Sequence, residues 1–136
     1  MSKMAAVSAG AAAFAMVASP PAHANWSGTI FDFVSGQESR RWKDDGYNRV
    51  TFTGCDPNGL KSVGVKMRRH KSMAPDPSYG EKTFKKCATA RYPNNVSRGA
   101  WHGLPRGKYY FEIGKLRGAN KVSVYEVHVW TRNSHG

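Results

Sequence analysis

The chain has 136 residues, with 21 Lys and Arg against 9 Asp and Glu and a formal net charge of +12. That length suits one domain with a modest core, and the absence of heptads, internal repeats and low-complexity linkers sets coiled coils and repeat arrays aside. The charge excess is silent about fold but implies attraction to polyanions such as wall teichoic acids, anionic lipid headgroups, nucleic acid or acidic polysaccharide.

The chain opens with Met-Ser-Lys, then an Ala-rich apolar run from Met4 to Ala18, a break at Ser19-Pro20-Pro21, and Ala22-His23-Ala24. A positive start, an apolar stretch of about 7–15 residues and an A-x-A site are the three parts of a secretory signal. The run is shorter than the roughly 20 apolar residues that span a bilayer, and no later segment reaches that length. The expectation is a secreted, extracellular protein cut after Ala24. Residues 25–136 would then form one basic domain, with 20 basic residues against 9 acidic ones and a net charge of +11.

The remainder reads as short β segments punctuated by Gly, Pro, Asn and Asp. Ser27 to Val34 is the first expected strand. Gly36 to Gly46 reads as a charged loop around Trp42, with room for one helical turn. Tyr47 to Gly54 is the second strand, with Val50 and Phe52 on one face and Thr51 and Thr53 on the other. Asp56-Pro57-Asn58-Gly59 has the residues of a turn. Lys61 to Arg69 alternates in the manner of a half-buried antiparallel strand, Val63, Val65 and Met67 against Ser62, Gly64, Lys66 and Arg68.

Met73 to Gly80, with two prolines, reads as irregular; Lys82 to Thr89 reads as a strand carrying Cys87, and Arg91 to Ser97 as a loop. Leu104-Pro105-Arg106-Gly107 is a type I turn leading, hairpin-fashion, into a strand from Lys108 to Ile113. Lys121 to Thr131 is the last strand. Its apolar parity changes between Val122/Val124 and Val127/Val129, which implies a bulge or burial on both faces. The expected fold is all-β: a small antiparallel sandwich or barrel of six or seven strands. Cys55 and Cys87, in an oxidising compartment, permit a single disulfide, and no C-x-x-C pair recommends a metal site instead.

Three functions fit these residues. The first is a non-catalytic, monomeric binding module for an acidic polymer or anionic surface. Lys66, Arg68, Arg69, Lys71, Lys85 and Lys86 would supply charge, and Trp42 and Trp101, set in loop-like segments, would supply stacking faces. The second is an inhibitor or toxin acting on a protein target through Met73–Gly80 or Arg98–Arg106. The third is a small basic ribonuclease. It would use Glu126 and His128, two apart on one strand, with Arg132 just beyond, as base, acid and phosphate-binding cation. No H-E-x-x-H, G-x-S-x-G or P-loop pattern occurs, and no cofactor or metal is implied.

Overall fold

A computed structural model describes residues 25–131. The segment read as a secretory signal, and Arg132, lie outside the described residues. Among the described residues eight strands form: β1 (Trp26–Phe33), β2 (Trp42–Asp44), β3 (Tyr47–Asp56), β4 (Ser62–Arg69), β5 (Ser78–Phe84), β6 (Val96–His102), β7 (Gly107–Arg117) and β8 (Val122–Thr131), with one short helix, α1 (Lys86–Thr89). They make two antiparallel four-stranded sheets, which we call A, in the order β1-β8-β3-β6, and B, in the order β2-β7-β4-β5. No helix among the described residues is long and apolar enough to cross a membrane.

Each inner face is built by alternation. Val50 and Phe52 on β3 and Val127 and Val129 on β8 face Val65 and Met67 on β4 and Phe111 and Ile113 on β7, all buried. Phe52 joins the two layers, its ring centroid 5.1 Å from Phe84 and 5.5 Å from Phe111. Burying one such large apolar side chain stabilises by roughly 1.5–3 kcal/mol, so these facing stripes fix which sheet face turns inward. The Cys55–Cys87 disulfide forms, with an S–S distance of 2.10 Å, and ties the end of β3 to α1.

Only β4 and β5 are consecutive strands that hydrogen-bond to one another; every other connection passes from one sheet to the other. The turn at Leu104–Gly107 is therefore a crossing from β6 in sheet A to β7 in sheet B, and not a hairpin. The expected parity change in β8 occurs. Val124 and Val127 are both buried while Tyr125 and Glu126 between them are exposed, and the β1–β8 register shifts between Gly28 and Ile30. β3 changes parity alongside it at Thr53-Gly54, where Gly54 has a φ of 70° that favours glycine.

Eight strands replace the six or seven expected because two segments read as loops are strands. β2 shows Trp42 and Asp44 inward and Lys43 outward, an alternation hidden by its many charges. β6 shows Ser97, Gly99 and Trp101 inward, too small and polar a set to register as an apolar strip. Gly99 leaves room for a ring: a Cβ there would lie 3.0 Å from Phe84. Conversely, the strand expected over Lys82–Thr89 ends at Phe84 and begins earlier, at Ser78. Cys87 sits instead on α1, where its N–H donates to Ser97 Oγ at 2.8 Å.

Candidate functional site

Sheet B presents the face on which Lys66 and Arg68 stand, and both have carboxylates for cross-strand neighbours. In register, Lys66 lies between Glu81 on β5 and Glu112 on β7. Arg68 makes an ion pair with Glu112 at 2.9 Å and donates to the Asp76 carbonyl at 2.6 Å. Glu38 makes an isolated antiparallel backbone bridge with Glu112, and its carboxylate lies 3.9 Å from Arg41. Glu81 and Glu112 thus flank Lys66 in register, and Glu112 and Asp76 lie beside Arg68. The Arg69 Nε donates to the Tyr79 hydroxyl at 2.9 Å, so its head is held within sheet B.

Lys71, Lys85 and Lys86 are exposed but do not extend that stripe. Lys71 lies in the loop after β4, and its backbone N–H donates to the Asp76 carboxylate at 2.9 Å. Asp76 also accepts from the Tyr110 hydroxyl. These bonds, the tyrosine's first, hold the Asp76 carboxyl below the usual range. Lys85 and Lys86 belong to the start of α1, beyond the end of β5, instead of facing Lys66 across a hairpin. The loop from Lys71 to Pro75 is exposed throughout, with Met73 94% exposed. The second segment considered for a protein target, Arg98–Arg106, is mostly strand β6.

Trp42 and Trp101 are each 4% exposed. Their indole N–H groups are satisfied inside the fold, Trp42 by Asn48 Oδ1 at 2.7 Å and Trp101 by the Gly80 carbonyl at 3.2 Å. They are core residues with no open ring face to stack a ligand. The physical cause is their place on β2 and β6: the inward parity of each strand carries the indole into the core, and the flanking charges stay at the rim.

The outer face of sheet A is arranged differently. Antiparallel pairing lays its side chains out in rows, with directly opposite Cβ atoms roughly 4.5–5.5 Å apart and successive rows about 7 Å apart along a strand. One row is His102 and Tyr47. The next is Ala100, Arg49 and Trp130. The third is Arg98, Thr51, His128 and Ser27, one residue from each strand of the sheet. The fourth is Val96, Thr53 and Glu126. Glu126 is the one carboxylate in these four rows, against Arg49, Arg98 and two histidines.

The first two rows are packed ring on ring. Tyr47 lies 4.9 Å from His102 and 5.5 Å from Trp130, and the Arg49 guanidinium sits 5.0 Å over the Trp130 ring. Such an arrangement orients the arginine and contributes about 0.5–1 kcal/mol at an exposed site. The Arg49 Nε is buried with no hydrogen-bond partner among the described residues. The third row is open, with Arg98 exposed and Thr51 and His128 half-buried. Among the described residues Arg98 has no ion-pair partner. Trp130, half-buried with Arg49 over its ring, is the tryptophan that stands beside an arginine on this outer face.

Glu126 and His128, singled out from sequence, do share this face. The cation expected beside them, Arg132, lies outside the described residues; the cations the sheet brings near are Arg49 and Arg98. Neither carries a signal by itself, because their approach depends on β3 pairing with both β6 and β8. The clue in the sequence is alternation: Tyr47, Arg49 and Thr51 on one strand, and Glu126, His128 and Trp130 on another, share the non-apolar parity.

Among the described residues no three of His, Cys, Asp and Glu gather as a metal site. Comparison with protein-family models, with curated proteins and with solved structures finds no match for this chain.

Proposed function

We propose that the protein is a binding module for a polyanion, and that it binds through the outer face of sheet A. The observation that carries this is how the cations are partnered and not how many there are, since the strands of sheet B hold eight Lys and Arg and those of sheet A two. Carboxylates flank Lys66 and Arg68 on sheet B, whereas the four rows of sheet A that carry Arg49, Arg98, His102 and His128 include Glu126 as their single carboxylate, Asp32 and Asp56 standing outside them on β1 and β3. Polyanion affinity comes mainly from neutralising charge and releasing counterions. Cations already paired with carboxylates contribute less to that release than those without such partners.

The test is binding to a single-stranded oligonucleotide and to inorganic polyphosphate across a salt series. Affinity should fall steeply with salt. Replacing Arg49 and Arg98 together with Ser should weaken binding at low salt. It should also flatten the log–log salt slope for a single strand by about 1.4, roughly 0.7 for each phosphate no longer neutralised. Lys66→Ser should change little. Equal weakening in the two variants would rule out sheet A as the binding face, and no binding by the unaltered protein at low salt would end the proposal.

A second reading has one observation in its favour, the presence of Glu126 and His128 beside Arg49 and Arg98. Such a set suits RNA transesterification: the 2′-hydroxyl attacks phosphorus and gives its proton to one group, while the 5′-oxygen leaves with a proton from the other. The products are a 2′,3′-cyclic phosphate and a 5′-hydroxyl. Catalytic shortening of RNA that is abolished by Glu126→Gln and by His128→Ala would establish it. RNA that remains whole, or cleavage unchanged in both variants, would dismiss that pair.

A further inference from the structure

We infer that the polyanion is a single-stranded nucleic acid, with a phosphate in the Arg98–Thr51–His128 row and bases against the exposed rings of His102 on one side of it and Tyr125 on the other. This rests on the polyanion reading above and narrows it. The row places a hydroxyl between a guanidinium and an imidazole on adjacent strands. Arg49 stands one row away on the same strand as Thr51, and Ala100 opposite it keeps the approach open. Three nitrogen-bearing side chains and a hydroxyl within neighbouring positions match the acceptor oxygens of one phosphate group.

The rings decide between phosphate polymers. On one side of the row is the His102–Tyr47–Trp130 set. On the other, beyond the row that holds Glu126, is Tyr125, 78% exposed. Tyr125 reaches the outer face because β3 and β8 change parity together: its Cβ lies over Gly54, 3.2 Å from where a Cβ on that glycine would stand. The fold thus turns two consecutive residues, Tyr125 and Glu126, outward where strict alternation would bury one. A polymer of phosphate and polyol gains nothing from such rings, and a duplex keeps its bases stacked away from them. A single strand offers both phosphates and free base faces, which suits aromatic groups set beside a cationic track.

The experiment compares a single-stranded oligonucleotide with inorganic polyphosphate carrying the same number of phosphates, at one salt concentration, using the protein, Tyr125→Ala and His102→Ala. The oligonucleotide should bind more tightly than polyphosphate. Tyr125→Ala should weaken the oligonucleotide by about tenfold and leave polyphosphate unchanged, with His102→Ala acting in the same direction. Both side chains are exposed, so unchanged thermal unfolding is the control for folding. Equal affinity for the two polymers, unaltered in both variants, would overturn the base-stacking inference while leaving a polyanion module in place. Failure of both polymers to bind would remove the two proposals together.

Discussion

Asp44 shows what one buried carboxyl does to this fold. It is 6% exposed on the inward parity of β2, and its Oδ2 has no hydrogen-bond partner among the described residues. Burial raises its pKa to about 6, against partial relief from the backbone N–H groups of Asp45 and Tyr47. In the unfolded chain the group titrates near 3.8. Between those values the native state holds a proton that the unfolded state has released, so stability falls as pH rises from about 4 to about 6 and levels off above. A shift of that size is worth about 3 kcal/mol at most. Asp44→Asn should remove this decline, so that the variant gains on the unaltered protein in melting temperature at pH 7 relative to pH 4. An identical pH dependence in the two proteins would show that Asp44 is not the source.

Gly64 is a second residue with a local argument. The Glu81 carboxylate lies across it and accepts the Lys115 N–H at 3.0 Å. An added Cβ would stand 2.0 Å from Glu81 Oε2 and 2.8 Å from the Lys115 backbone nitrogen. The carboxylate can swing away, but the backbone cannot, so Gly64→Ala should destabilise by about 1–3 kcal/mol in denaturant unfolding. In the sequence Gly64 is only a member of a polar face; the carboxylate that needs its bareness comes from another strand. Trp42 and Trp101 teach the complementary lesson. Their neighbours Arg41, Lys43, His102 and Gly103 look like loop chemistry, and only strand parity reveals that the indoles point inward.

At the scale of elements, what is legible in the chain is alternation over long apolar strips. Lys61–Arg69 and Tyr47–Gly54 match β4 and β3 within a few residues, and the parity change in β8 is visible in its valines. Strand pairing is what escapes. β6 is recognised only beside β3, along which it pairs for its whole length, and β2 only beside β7. Because nearly every connection changes sheet, adjacency in the chain says little about adjacency in a sheet, and the rows on the outer face of sheet A cannot be assembled from sequence. Cys87 makes the point in miniature: two cysteines imply the disulfide, but not that one of them lies on a helical turn. Opening that bridge in a Cys55→Ala, Cys87→Ala double variant frees two positions 32 residues apart in the chain. It should cost about 3–4 kcal/mol in denaturant unfolding. A cost near zero would mean that the packing of α1 against β3, β4 and β6 holds these segments without the bond.

On the scale of the whole molecule, a formal net charge of +12 describes the chain but not its surface. Folding sets Lys66 and Arg68 beside Glu81, Glu112 and Asp76 on sheet B, and gathers Arg49, Arg98 and His128 around Thr51 on sheet A, while most other cations lie outside both groups. The most conspicuous basic strand in the sequence is the one whose Lys66 and Arg68 have carboxylate neighbours. The less conspicuous cations, far apart in the chain, are those brought together on one face. The most direct measurement is an NMR footprint of the protein titrated with short inorganic polyphosphate, followed at backbone amides and arginine Nε–H groups. Shifts should concentrate at Arg49, Thr51, Arg98 and His128, with Lys66 and Arg68 nearly still. Shifts centred on Lys66, Lys71, Lys85 and Lys86 would contradict this and return the binding surface to the other side of the molecule.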